Sequence, residues 1–241
     1  MARDIIASRR TPFIPRRHGF HFSNSNIQWT YFGFSGTALC GGMSFGSLDF
    51  YRHGISIPPD TSAPPVGSEL NQYILGRQID AHVYGIPRLI AANPNRYGMG
   101  PRERLSIDVD QFRAGMRITD RFGVVVRWID RNDPIPILLM DREDPVSTTS
   151  HWVVVIGYEM DEVPPDQGGR RLGKLILYDN NFPDVESYLT PNFNGWFDHN
   201  RTMKKYRTYF PYDGYSDMDP RHRIASPANH PRPRPAQWYP V

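Results

Sequence analysis

Three short apolar runs in the second half of this chain constrain its fold more than any other feature: Ile135–Met140, Trp152–Tyr158 and Leu175–Tyr178. Each lies between turn-forming segments and lacks a helical period, so they read as neighbouring strands of an antiparallel sheet. Asn132-Asp133-Pro134 supplies a turn ahead of the first. The polar stretch Asp161–Arg171 reads as a solvated hairpin connection. The first half follows a different period. From Cys40 to about His53, the residues Met43, Ser47, Phe50 and Tyr51 recur on one helical face, and Gly54 suits a C-terminal cap. Ser68 to about Val83 reads as a second helix, N-capped by Ser68, with Leu70, Tyr73, Ile74 and Arg77 on one side. Helical stretches are also expected between Val109 and Ile129. Helices first and sheet second argue an α+β domain.

The 241 residues suffice for one large domain with a real core. Residues 1–30 read as an irregular arm, with a short edge strand expected in Pro15–Phe22. The domain proper is expected over 31–212. Residues 213–241 are rich in proline and read as a polyproline-type tail. One further strand is expected within 195–210. The net charge of +3 sits largely at the ends, in Arg3, Arg9, Arg10, Arg16, Arg17 and in Arg221, Arg223, Arg232, Arg234. Without a nucleic-acid-binding motif these read as solvated tails, and no nucleic-acid partner is expected. No apolar stretch approaches the roughly 18 residues of a membrane span. Charges break every apolar run of MARDIIASRRTPFIPRRHG, so no signal peptide is expected. The chain reads as cytoplasmic, with export by a non-classical route left open.

Cys40 is the single cysteine, so it forms no internal disulfide. It stands at the expected start of the first helix, where the positive end of the helix dipole favours a thiolate. Gly41 and Gly42 give open approach to the backbone amides there. His151 heads the second apolar run, and Asp179 ends the third, with Asn180 and Asn181 close behind. A histidine can take the thiol proton, and an Asp or Asn can fix the imidazole tautomer. Other chemistries fit poorly. The eight histidines are scattered, so no metal or other cofactor is expected. The glycines lack the Lys-Ser/Thr of a phosphate loop, and no Gly-x-Ser-x-Gly occurs. His18 and His21 read as loop surface, and Asp141, Glu143 and Asp144 as a solvated loop.

Cys40-Gly41, then His151-Trp152-Val153-Val154-Val155-Ile156-Gly157-Tyr158, then Asp179-Asn180-Asn181-Phe182-Pro183 is an order that resembles the papain-like cysteine peptidase superfamily. Within it, the chain looks like the bacterial bacteriocin-processing peptidases and their uncharacterised relatives. The resemblance covers roughly 35–55 and 150–183. It implies a papain-like fold: N-terminal helices, a central helix carrying the cysteine, and a C-terminal antiparallel sheet. It implies a Cys40-His151-Asp179 triad, a thioester intermediate and a protein or peptide substrate. Papain-like enzymes usually place a glutamine about six residues before the cysteine as an oxyanion donor. Here that position is Phe34. Gln28, Asn26, Thr37 and Gly41 remain as candidate oxyanion or substrate-binding residues, with Trp152 and Asn180. The expected activity is hydrolysis or acyl transfer at a peptide or amide bond. The alternatives are a non-catalytic binding module of the same fold and a bacterial effector or toxin domain that modifies one target protein.

Overall fold

The computed structural model describes residues 5–31, 33–82, 107–108, 122–140, 150–162, 170–192, 196–206, 208–212 and 214–221. Its elements are β1 (Ile5–Arg10), α1 (Pro15–His18), β2 (Gln28–Tyr31), β3 (Phe34–Thr37), α2 (Cys40–Arg52), α3 (Glu69–Asp80), β4 (Ile107–Asp108), α4 (Phe122–Asp130), β5 (Ile135–Met140), β6 (His151–Glu162), β7 (Arg170–Tyr178), β8 (Glu186–Pro191), β9 (Phe197–His199), β10 (Lys205–Tyr206) and β11 (Thr208–Pro211). The architecture is α+β. A curled antiparallel sheet runs β10-β9-β8-β7-β6-β5-β11-β4. β1 joins β6 beside Gly157–Asp161, beyond the stretch Val155–His151 that β5 occupies. A separate hairpin pairs β2 with β3.

The three apolar runs of the sequence are the middle of this sheet, and helices cover both of its faces. On one face, Ile135, Ile137, Leu139, Val153, Val155, Leu175 and Leu177 pack with Val125 and Ile129 of α4. On the other, Leu138, Trp152, Val154, Ile156, Ile176 and Tyr178 pack with Phe45 and Leu48 of α2. Burial on both faces explains why these strands read as continuous apolar runs rather than alternating ones. A bulge at Val155/Gly157 shifts the register by one, so Tyr158 and Met160 rejoin the face of Val155.

α2 is buried from Gly41 through Phe50 because the sheet covers one side and α3 the other. Met43 and Phe50 meet Tyr73, Ile74 and Leu75 of α3 together with Phe20, Phe22 and Ile27. A methyl group on Gly42 would collide with the Ile74 carbonyl oxygen, so glycine sets the approach of the two helices. α2 ends in a Schellman motif. Gly54, at φ +63°, donates its N–H to Tyr51 O, and Ile55 donates to Phe50 O. Ser68 caps α3 through Asn71 N–H, as its position before the apolar period predicts.

Several expectations give way to tertiary packing. Residues 5–30 are not an irregular arm: Phe13, Phe20, Phe22 and Ile27 are core residues, and Ile5–Arg10 is a strand. Pro15–His18 is a helical turn rather than part of an edge strand, consistent with the preference of proline for a first helical position. The one strand expected in 195–210 is three, β9, β10 and the start of β11. Tyr215, beyond the expected domain end at 212, is buried against Phe45. The proline-rich stretch 227–241, the helical stretch expected in 109–121 and the acidic cluster at 141–144 lie outside the described residues. Among the described residues, no helix is long and apolar enough to cross a membrane.

Candidate active site

The start of α2 is built to expose its amides. Ala38 adopts φ +71°, a conformation that costs a residue bearing a Cβ roughly 1 kcal/mol. That turn reverses the chain out of the β2–β3 hairpin and begins the helix at Cys40. The buried side chain of Asn24 accepts the Leu39 N–H through Oδ1 at 2.5 Å, and Ala38 N–H donates to Ile27 O at 3.0 Å. The first-turn N–H groups have no helix carbonyl to bond. Gly42 N–H instead donates to Gln78 Oε1 of α3 at 2.8 Å. The backbone N–H groups of Gly41 and Trp152 lie near the Cys40 thiol and favour its anion.

His151 opens β6, one strand-end away from Asp179, which directly follows β7. Its Nε2 lies 2.7 Å from Asp179 Oδ1, and both side chains are buried. The Cys40 side chain is the ring's other polar neighbour, and with Nε2 engaged by Asp179 it is Nδ1 that is left for the thiol. The same Asp179 Oδ1 accepts the Asn181 N–H at 2.8 Å, and the Asn181 amide nitrogen lies 3.1 Å from His151 Nε2. The second carboxylate oxygen, Oδ2, faces His199 Nε2 of β9 at 3.0 Å. Cys40, His151, Asp179 and His199 therefore form one continuous polar chain drawn from α2, β6, the end of β7 and β9.

Each ionisation follows from these contacts. Burial alone pushes the Cys40 thiol up, but the His151 hydrogen bond and charge, with the Trp152 and Gly41 N–H groups, outweigh it and hold the thiol below its ordinary value. Burial also opposes a charged His151, yet Asp179 at 2.7 Å raises the imidazole well above its usual range. Asp179 is buried too, and the charge and hydrogen bond of His151, with donors from His199 and Asn181, keep it far below the usual carboxylate range. All three shifts run toward thiolate, imidazolium and carboxylate in a row, the ionisation state that a nucleophilic cysteine needs.

The other sequence candidates take varied places. Gly41 lies beside the thiol and abuts the Trp152 indole. Trp152 is a buried wall of the site rather than an exposed binding surface. Asn180 ties the site together: its Nδ2 lies 3.0 Å from each of Cys40 O, Ser44 Oγ and Trp152 O and shares its two hydrogens among them. Gln28 and Thr37 face each other across the β2–β3 hairpin and line a depression of about 250 Å³ with Trp29 and Val66. Asn26 sits in an exposed turn. Among the described residues no hydrogen bond or ion pair joins the side chains of Gln28, Asn26 or Thr37 to the Cys40–His151–Asp179 chain. Phe34 is 74% exposed on the hairpin. His21 is paired with Asp184 at 2.5 Å, away from this chain.

Reading the sequence missed His199, Asn24 and Gln78. His199 carried a faint signal, as a polar residue closing the alternating Phe197-Asp198-His199. Asn24 carried none, because its role depends on the arm folding onto the start of α2. Among the described residues, no group of three or more His, Cys, Asp or Glu side chains could hold a metal ion. No family model, curated protein or solved structure matches this chain.

Proposed function

We propose that this protein is a papain-like cysteine hydrolase or acyl-transfer enzyme acting on peptide or amide bonds. One observation carries the reading: Cys40 stands at a helix N-terminus beside His151, whose Nε2 lies 2.7 Å from a buried carboxylate. The Cys40 thiolate attacks the substrate carbonyl carbon, and its electron pair forms the new C–S bond. The resulting oxyanion meets the Cys40 N–H, which as a first-turn donor has no helix acceptor. His151 passes its proton to the leaving amine as the C–N bond breaks, leaving a thioester. His151, now neutral, takes a proton from water or a second amine, which attacks the thioester and frees Cys40. Asp179 keeps Nε2 protonated and the ring aligned throughout.

The side-chain oxyanion donor is best supplied by Gln78. Its carboxamide already sits beside the first turn of α2, holding Gly42 N–H. Its NH2 meets His82 Nδ1 at 2.8 Å, and exchanging that partner on substrate entry would bring it to the oxyanion. This assignment replaces the glutamine that Phe34 lacks and accounts for Gln28 standing elsewhere.

The test is a peptide library treated with the wild type and with Cys40→Ser, read by mass spectrometry for cleavage, deamidation or amine transfer. Wild-type-only products and a covalent acyl adduct on Cys40 support the reading. A wild-type thiol with ordinary reactivity and no product of any of the three kinds sinks it.

A further inference from the structure

His199 has no part in a three-residue Cys-His-Asp device, yet its side chain is fully buried against Asp179. We propose that His199 is a positioning residue: neutral, protonated at Nε2, and holding Asp179 Oδ2 so that Oδ1 stays aimed at His151. The proposal rests on the hydrolase reading above. The tautomer follows from the hydrogen bonds. His199 Nδ1 accepts the Arg201 N–H at 3.2 Å, so in the neutral ring the proton belongs on Nε2. That nitrogen is 3.0 Å from Oδ2 and has no other partner among the described residues, so a small rotation of the ring aligns its N–H on the carboxylate. The ring is held from the sides by Phe182, at 5.7 Å between ring centres, and by Tyr206 of β10, at 6.5 Å. Leu189 of β8 is its cross-strand partner.

The carboxylate needs this support because it is buried and acceptor-only. Oδ1 has two donors, His151 Nε2 and Asn181 N–H. Oδ2 faces His199. The neighbouring titratable groups are His151 of β6, Cys40 of α2 beyond it, and the Tyr178 phenol at the end of β7. Without the His199 donor, a buried carboxylate oxygen loses its partner. The carboxylate then turns to share its remaining donors, or takes up a proton. Either response weakens its hold on the His151 imidazolium. The thiolate loses its counter-charge, so the acid limb of thiol reactivity moves to higher pH.

The experiment measures iodoacetamide labelling of Cys40 against pH in the wild type, His199→Phe, His199→Gln and His199→Asn. Phenylalanine fills the space without a donor. Glutamine keeps an N–H near the Nε2 position, and asparagine places its amide near Nδ1 only. The expected result is an acid limb raised by about one pH unit in the Phe and Asn variants, and an unmoved limb in the Gln variant. Should the Phe variant fail to fold, the Asn and Gln variants decide between them. Equal shifts in Asn and Gln, or no shift in Asn, overturn the proposal. Imidazole nitrogen NMR of the wild type is the independent check: an Nδ1–H tautomer at His199 overturns it whatever the labelling shows. A wild-type thiol without any reactive thiolate would instead sink the hydrolase reading, a result distinct from either failure.

Discussion

Replacing Asp179 by asparagine keeps the volume of the side chain and removes its charge. The carboxylate lies 2.7 Å from His151 Nε2, in a site where both groups are buried. At an effective dielectric constant near 20, unit charges about 4 Å apart attract by about 4 kcal/mol, or close to three pKa units. His151, otherwise raised to about 10, then falls toward or below its ordinary value, because burial is no longer opposed. The thiol loses its imidazolium neighbour, and burial pushes it up. A free cysteine near 8.5 is only about 0.3% ionised at pH 6, which is roughly a 300-fold loss against a fully ionised thiol. A more basic thiolate is intrinsically more nucleophilic, with a Brønsted slope near 0.4–0.5, and over the roughly 3.5 units separating it from a thiol fully ionised at pH 6 recovers about 30-fold of that. The expected net effect of Asp179→Asn is therefore about a tenfold fall in iodoacetamide labelling at pH 6, vanishing near pH 7 and reversing at higher pH, where the more basic thiolate reacts faster. Cys40 is the single cysteine in 241 residues, so intact-mass spectrometry reads one site without ambiguity. If the variant, shown folded by circular dichroism, labels at the wild-type rate from pH 5 to 8, Asp179 does not govern the thiol and the triad is wrong.

Four other outcomes are expected. Asn24→Ala removes the acceptor for Leu39 N–H and one amide partner of Asn181, so it costs about 1–3 kcal/mol in urea denaturation and slows Cys40 labelling at pH 6. Wild-type reactivity and stability together would dismiss Asn24 as a clamp. Gly42→Ala drives a methyl into the Ile74 carbonyl and costs about 3 kcal/mol or more, whereas Gly54→Ala has open space and costs about 1 kcal/mol for its positive φ. Equal costs would mean that α2 and α3 are not in such close approach. Stability should vary with pH at both ends. The stabilisation from a raised His151 is fully present below its unfolded value near 6.5 and is lost as pH rises through about 10. That from a depressed Asp179 is present above about pH 4 and disappears in strong acid. A Tm flat from pH 6 to 10 would count against the buried pair. Arg77→Met leaves Asp49 buried without its ion-pair partner and should cost about 3–5 kcal/mol, with little change in Cys40 labelling.

The sequence carried what is local and what repeats. The α2 start at Cys40, the Ser68 cap and the three central strands follow from period, capping chemistry and apolar runs, and the structure has all of them. The order Cys40, His151, Asp179 was legible because each stands at the end of an element that the pattern defines. What stayed hidden depends on contacts distant in sequence. Phe20, Phe22 and Ile27 lie among Gly, Ser and Asn, so residues 5–30 read as an arm until α2 and α3 are there to bury those rings. β9, β10 and β11 are too short to show a period. His199 matters only because β8 and β9 return the chain to the end of β7, and Gln78 only because Gly42 lets α3 approach the first turn of α2.

A buried charge pair by itself does not mark a site, and this molecule contains its own control. On the far part of α2, Asp49 is fully buried and meets Arg77 Nε at 2.7 Å, with Tyr73, Tyr215 and the Met218 N–H as further donors. Arg77 also holds Asp80 and the Ser216 carbonyl. Every one of those partners is structural: they lock α2, α3 and the segment after β11 together, and the charge of Arg77 cannot be given up near neutral pH. Asp179 and His151 differ in two respects. Imidazole exchanges its proton in the range where an acid and a base are both needed, and its second nitrogen is left for the thiol that stands beside it at the open end of a helix. A pair kept only for rigidity gains nothing from that thiol. It would be as well served by an arginine in place of His151, or by apolar residues of similar volume. His151→Arg therefore separates the two roles. It would leave a structural pair intact, whereas a proton-transferring one would lose all turnover while Cys40 still faced a positive charge.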